Sequence, residues 1–167
     1  YRVLEEKGVR PDFVAGHSLG EFSALVAAGG LDFADAVYLV RRRGEYMQLA
    51  VPEGVGAMAA ILGLAPAQVA DLCRKAANGQ VVAPANLNSP EQTVISGHAE
   101  AVKRAVELAS ASGAKRAVIL PVSAPFHSSL MLPAREQLEQ DLRRPTFHTL
   151  RVPLVAITDG GITTNGD

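Results

Sequence analysis

The chain has little of what would tie it to an oxidising compartment, a nucleic acid or a membrane. It has one cysteine, Cys73, so no disulfide can form within it, which favours a reducing cytoplasm. Cys73 lies in a helical pattern and is predicted to be a core residue. The formal net charge is only −1, which indicates no general attraction to nucleic acid or to an anionic membrane. No apolar run approaches the roughly 18 residues of a membrane span, and the first residues do not have the pattern of a signal peptide.

The most informative motif present is Gly16-His17-Ser18-Leu19-Gly20, which stands between an apolar segment and a helical run of small residues. In that setting Gly-x-Ser-x-Gly predicts a nucleophile elbow, in which the glycines permit a tight turn that raises the serine above a sheet. The helix that follows directs backbone N–H groups towards an oxyanion formed at the serine. A plain turn serine is the alternative. We therefore expect Ser18 to take part in acyl chemistry.

Apolar periodicity and turn residues predict an α/β fold around this motif. The chain is predicted to begin with a helix over 1–6 and a strand over 13–15. The elbow is then followed by helices over 21–28 and 33–50, and later by a helix over 129–142 and a strand over 152–157.

Between the helix over 33–50 and the helix over 129–142, the order of elements changes to β-α-β-β-α-β, the ferredoxin-like arrangement. The length of this segment, about 67 residues, suits an inserted unit. Its strands are predicted over 57–62, 81–87, 93–96 and 118–122, and its helices over 66–77 and 100–110. The predicted domains are thus a catalytic α/β domain, 1–54 and 122–167, and a ferredoxin-like subdomain, 55–121.

A serine hydroxyl needs a neighbouring base to take its proton, and the chain has four histidines. His17 is adjacent to Ser18, and successive side chains at a turn diverge. His98 is predicted to lie exposed in a turn, and His148 in a polar connection. His127 follows a predicted strand end, where catalytic groups gather in α/β sheets, although a structural histidine is an equally good interpretation.

No aspartate completes a triad in the order serine, acid, histidine. Asp141 and Asp159 both follow His127 in the sequence, and Asp32 and Asp71 are typical of a helix cap and an exposed helix face. A dyad, in which another group orients the histidine, is the remaining possibility.

Arg41-Arg42-Arg43 lies in the long helix after the elbow. Consecutive helical side chains point about 100° apart, so the three arginines cannot share one role, and most such runs face solvent. One of them facing the serine would offer a rigid fork for a carboxylate. Gly44 costs a helix about 1 kcal/mol, which indicates close packing or the approach of a ligand.

Five stretches in the same order and at the same intervals resemble the malonyl-CoA:acyl carrier protein transacylase family over nearly the whole chain. They are Gly16–Glu21, Arg43–Gln48, Val51–Gly54, Asn86–Pro90 and Phe126–Met131. The resemblance implies an α/β-hydrolase-like large domain, incomplete here, with an inserted ferredoxin-like subdomain.

The resemblance also implies the roles of individual residues. Ser18 would be the nucleophile and His127 the general base, while Arg43 would pair with the free carboxylate of a malonyl group. The backbone N–H of Leu19 would donate to the oxyanion. Met47 and Phe126 would line the acyl pocket. His17 and Asn88 are also expected to bind the substrate.

For substrates and partners the resemblance implies malonyl-CoA and acyl carrier protein, in fatty-acid biosynthesis. It implies no metal and no cofactor beyond the phosphopantetheine that the substrates carry, and a monomer. The alternatives are a serine thioesterase or esterase, the acyltransferase module of a polyketide synthase, and an inactive fragment or docking domain.

The sequence departs from the family pattern at both ends. It has neither the family's amino-terminal Gly-Gln-Gly-Ser-Gln segment nor the carboxy-terminal part that orients the histidine, and Ala156–Asp159 does not match the usual end of the last strand. We therefore expect the chain to be the middle of an enzyme of roughly 300 residues.

Overall fold

The computed structural model describes residues 1–165, which fall into two compact units. Unit 1 comprises Tyr1–Arg43 and the chain from Leu138 onwards, and unit 2 comprises Gly44–Gln137. The helices are α1 (Arg2–Glu6), α2 (Gly20–Ala28), α3 (Phe33–Leu49), α4 (Pro66–Ala77), α5 (Ala99–Ala111) and α6 (Leu132–Leu142). The strands are β1 (Val14–Ala15), β2 (Gly56–Leu62), β3 (Val82–Ser89), β4 (Gln92–His98), β5 (Arg116–Ile119), β6 (Leu154–Val155) and β7 (Ile162–Thr163).

Unit 1 contains a short mixed sheet in the order β1-β6-β7. β1 pairs in parallel with β6, and β6 pairs antiparallel with β7. Two small apolar clusters support this unit. One joins Ala24 and Ala28 of α2 to Leu150 and Leu154, and the other centres on the fully buried Leu39 of α3.

Unit 2 contains a four-stranded antiparallel sheet in the order β3-β4-β2-β5. α4 and α5 pack together and against the sheet. The core between helices and sheet includes Ile61, Val69, Ile95 and Val102, all almost without exposed surface. Cys73 belongs to the same core, which confirms its predicted burial. The parallel and antiparallel sheets with their helices confirm the predicted α/β class.

Several predicted strands have different bounds in the structure, and one strand was not predicted. β5 ends at Ile119 instead of Val122, because the Leu120 N–H bonds to the Met58 carbonyl and Pro121 then has no N–H to continue. The strand predicted over 152–157 is only Leu154–Val155, and β7 was not predicted, because two residues are too few to show an alternation.

β4 is longer than predicted, and this corrects the prediction for His98. The strand continues through Gly97 to His98, which is half-buried instead of exposed in a turn. The His98 Nδ1 accepts a hydrogen bond of 2.9 Å from the Val81 N–H. His98 is therefore a structural residue. Within residues 1–165 no helix is long and apolar enough to cross a membrane.

Candidate active site

Ser18 lies in a tight turn between β1 and α2, and its backbone has a left-handed φ of 55°. A Cβ on Gly16 would overlap the backbone carbonyl of Gly20, so residue 16 has to be glycine for the turn to close. A Cβ on Gly20 itself would meet no atom within 4 Å. The elbow was predicted to need both glycines, and the structure shows that it needs the first.

The first turn of α2 begins directly after the serine. The Gly20 N–H donates to the His17 carbonyl at 2.9 Å, and the Glu21 N–H donates to the Ser18 carbonyl at 3.2 Å. Within residues 1–165 no group accepts a hydrogen bond from the Leu19 N–H. That N–H is therefore available to a ligand at Ser18.

Arg43 directs its guanidinium at the serine from α3. Its Nη2 donates a hydrogen bond of 2.7 Å to the Ser18 Oγ. The side chain is half-buried, and this burial lowers the pKa of the guanidinium from its ordinary value. In the described part of the chain no carboxylate forms an ion pair with it. A desolvated cation beside a serine favours an anionic ligand there.

The three consecutive arginines diverge, as the helical geometry predicts. Arg42 pairs with Asp141 at 3.4 Å, and Arg41 borders an apolar groove on unit 1. Gly44, the next residue, was expected to permit close packing or the approach of a ligand. A Cβ there would meet no atom within 4 Å, so close packing does not explain the glycine.

His127 lies in unit 2, in a turn whose geometry is held from both sides. Its φ is 58° and its side chain is exposed. Pro125 packs so closely on Gly56 that a side chain at residue 56 would overlap the proline ring. The Ser128 Oγ donates to the Pro125 carbonyl at 2.8 Å and accepts from the Leu130 N–H at 3.3 Å. The turn therefore presents the imidazole from a fixed backbone.

Other predicted site residues lie on the same unit as His127. Met47 and Phe126 are partly buried and pack on one cluster, which includes Val51 and Met131. Asn88 is exposed. It lies within β3, because that strand continues to Ser89 and the hairpin turn is formed by Pro90-Glu91. His17, on unit 1, is exposed beside Ser18.

Comparison with known proteins identifies the family of the chain. Residues 1–165 match the acyl transferase domain family. The chain belongs to that family. The malonyl CoA-acyl carrier protein transacylase of Escherichia coli K12 is 56% identical over 168 residues, which cover 100% of this chain and 54% of the relative. The chain thus spans about half the length of the curated relatives it matches.

Solved structures of the acyl transferase type superpose closely on the chain. The malonyl CoA-acyl carrier protein transacylase of Coxiella burnetii gives a TM-score of 0.97 at 51% identity, over 99% of this chain and 52% of that one. A malonyl-transacylase in complex with a type II polyketide synthase acyl carrier protein gives 0.96 at 48% identity, over 99% of this chain and 54% of that one. The family resemblance predicted from the sequence is confirmed.

The sequence missed two kinds of supporting residue in this acyl transferase domain. Asp141 was considered only as a triad acid, yet it is buried, with 2% of its surface exposed, and it pairs with arginines. The spacing of Asp141 and Arg144, three apart at a helix end, was the available signal. Gly56 and Ser128, which hold the histidine turn, gave no signal, because their partners are visible only in three dimensions.

The apolar groove on unit 1 has a volume of about 1040 Å³. Its lining includes Leu19, Phe22 and Val37, and the neighbouring Phe33 is 72% exposed.

Within residues 1–165 no cluster of three or more His, Cys, Asp or Glu could hold a metal ion. The Ser18 hydroxyl and the Arg43 guanidinium meet at 2.7 Å, and a guanidinium beside a nucleophile suits an acyl group that ends in a carboxylate.

Proposed function

We propose that this acyl transferase domain transfers a malonyl group from malonyl-CoA to the phosphopantetheine thiol of acyl carrier protein, in fatty-acid biosynthesis. The observation that carries the proposal is the Arg43 guanidinium, 2.7 Å from the Ser18 Oγ. The names of the similar proteins support both substrates, and one of those structures contains an acyl carrier protein.

The reaction takes place in two half-reactions at the same serine. The Ser18 Oγ attacks the thioester carbonyl of malonyl-CoA while His127, as general base, takes its proton. The tetrahedral intermediate then collapses, the proton passes to the departing CoA thiolate, and a malonyl-serine ester remains. In the second half the phosphopantetheine thiol attacks that ester, and the serine is released with its proton restored.

Arg43 would decide which acyl group is transferred. Its planar fork can bind the distal carboxylate of malonyl-CoA through two hydrogen bonds, which orients the carbonyl over Ser18. An acetyl group would leave a half-buried guanidinium without a counter-charge, and an unpaired buried polar group costs about 1–3 kcal/mol or more. Selection for malonyl over acetyl therefore follows from the burial of Arg43.

The remaining residues shape the site around the acyl group. The Leu19 N–H, which has no acceptor among residues 1–165, is proposed to donate to the oxyanion. Met47 and Phe126, which share one cluster, are proposed to line the acyl pocket. His17 and Asn88, both exposed, are proposed to contact the substrate.

The finer architecture is part of the same proposal. Residues 1–54 and 122–167 would belong to an α/β-hydrolase-like catalytic domain, and residues 55–121 would form a ferredoxin-like subdomain inserted in it. The order β3-β4-β2-β5, with the two helices α4 and α5, supports the ferredoxin-like assignment. We further propose a cytoplasmic monomer that needs no cofactor of its own.

The test is the intact mass of the full-length protein after it is mixed with malonyl-CoA. We expect a malonyl adduct that is absent from Ser18→Ala. Arg43→Ala should acylate with malonyl and acetyl donors at similar rates, because the carboxylate has lost its partner. Hydrolysis of malonyl-CoA without an adduct would support a thioesterase, and unchanged selectivity in Arg43→Ala would refute the carboxylate role.

A further inference from the structure

Asp141 is the buried centre of a charged cluster that the proposed chemistry does not use. It lies in the last turn of α6 and is almost wholly buried. Its Oδ2 pairs with the Arg42 Nε at 3.4 Å, and its Oδ1 pairs with the Arg144 Nε at 3.3 Å. The Tyr38 hydroxyl donates to Oδ1 at 3.4 Å and accepts from the Arg144 Nη1 at 2.8 Å.

This position is an unfavourable one for an unpaired carboxylate. A negative charge at the carboxyl end of a helix opposes the helix dipole, and burial removes the hydration of the carboxylate. The arginines and the tyrosine have to compensate for both costs. Removal of an arginine partner would leave the buried carboxylate with less compensation, which destabilises the folded state around it.

The cluster fixes the rotation of α3 about its axis. Tyr38 and Arg42 are four residues apart, so they lie on one face of α3, and both contact the Asp141 carboxylate. Two contacts from one helix face to one buried point resist rotation of that helix. Since side-chain ends lie about 5–6 Å from a helix axis, a rotation of about 10° moves them by roughly 1 Å.

Arg43 immediately follows Arg42 on α3 and points to the Ser18 Oγ. A rotation that releases Arg42 from Asp141 therefore displaces the Arg43 guanidinium. A misplacement of about 1 Å at a reacting centre can cost on the order of a hundredfold in rate. We propose that Asp141 is a positioning residue: through Arg42 and Tyr38 it holds α3 in the rotation that places the Arg43 guanidinium at the acyl-serine. This inference rests on the proposed function.

The test compares malonyl and acetyl donors in the full-length enzyme. In Asp141→Asn we expect kcat/KM for malonyl-CoA to fall about tenfold, while the low kcat/KM for acetyl-CoA stays within about twofold. Acetyl has no carboxylate for Arg43 to bind, so only the malonyl donor reports the position of that guanidinium. A purely structural defect would lower both values alike. The matched control is Glu139→Gln, which removes an exposed carboxylate of α6 that pairs with Arg143.

Arg42→Gln is the second variant, and it keeps the proposal falsifiable if Asp141→Asn does not fold. It should lower selectivity in the same direction, and the double variant should lose no more than Asp141→Asn alone, because Asp141→Asn already changes the contact with Arg42. If Arg43→Ala abolishes selectivity but Asp141→Asn and Arg42→Gln match Glu139→Gln, the positioning role is refuted and the proposed function stands. If Arg43→Ala leaves selectivity intact, the proposed role of Arg43 is refuted and the positioning role with it.

Discussion

The two units of the chain differ in what stabilises each of them internally. Unit 2 has strands of four to eight residues and a core cluster of 13 buried residues. Unit 1 has strands of two residues and apolar clusters of four and three buried residues. Ser18 and Arg43 both lie on unit 1. In unit 1, where apolar burial is small, the positions of Ser18 and Arg43 therefore depend on the close backbone contact at the elbow and on the cluster around Asp141.

The largest expected effect is a loss of stability from a cavity in the core of unit 2. Ile95 and Leu39 are both fully buried, in unit 2 and unit 1 respectively. Ile95→Ala should lower the free energy of unfolding by about 4 kcal/mol, because the surrounding core cannot collapse into the cavity. Leu39→Ala should cost about 2 kcal/mol, since its small cluster can relax. Equilibrium urea unfolding measures both, and equal losses would contradict the difference between the units.

A smaller effect is expected at the elbow of unit 1, where a substitution should change the rate of acylation of Ser18. Gly16→Ala forces a Cβ into the Gly20 carbonyl, so formation of the malonyl-serine ester should slow by about a hundredfold. Gly20→Ala is the matched control, because a Cβ there meets open space, and its rate should stay within about threefold. Rapid quenching followed by intact mass gives both rates. Similar losses in the two variants would show that the elbow does not depend on this contact.

The smallest effect concerns Cys73 in the core of unit 2. Burial raises the pKa of its thiol from 9.0 to about 11. The unfolded chain therefore loses the thiol proton first, so the folded state should lose about 1 kcal/mol of stability from this group by pH 10, and more up to pH 11. Urea unfolding at pH 8 and pH 10 should show this loss in the wild type. Cys73→Ala should lack it, and an identical pH dependence in the two proteins would mean that the thiol is accessible to water.

The sequence predicted those elements that local signals define. The bounds of α4, Pro66–Ala77, are the predicted ones, because proline at the first helical position marks the start of the helix. α2 ends at Ala28, and the next residue, Gly29, has a φ of 76°, which glycine favours directly after a helix. The bounds of β5 and the existence of β7 depend on partners far along the chain, and no local pattern contains that information.

The same division applies to the candidate site. Ser18 was found because its motif is a continuous stretch of sequence, and the divergence of the three arginines follows from helix geometry alone. The position of Asp141 beside Arg42 joins residues 99 apart, so it could not be predicted. Which glycine of the elbow is indispensable was also out of reach, since the answer depends on the distance between Gly16 and Gly20.

The left-handed backbone of Ser18 sets folding against activity. At a φ of 55° a residue with a side chain carries a strain that glycine escapes, typically about 1 kcal/mol or more. Ser18→Gly would relieve that strain and remove the hydroxyl in a single step. A selection applied to folding alone would thus drive residue 18 towards glycine, so thermostabilised versions of this domain have to be screened for acyl transfer from the outset.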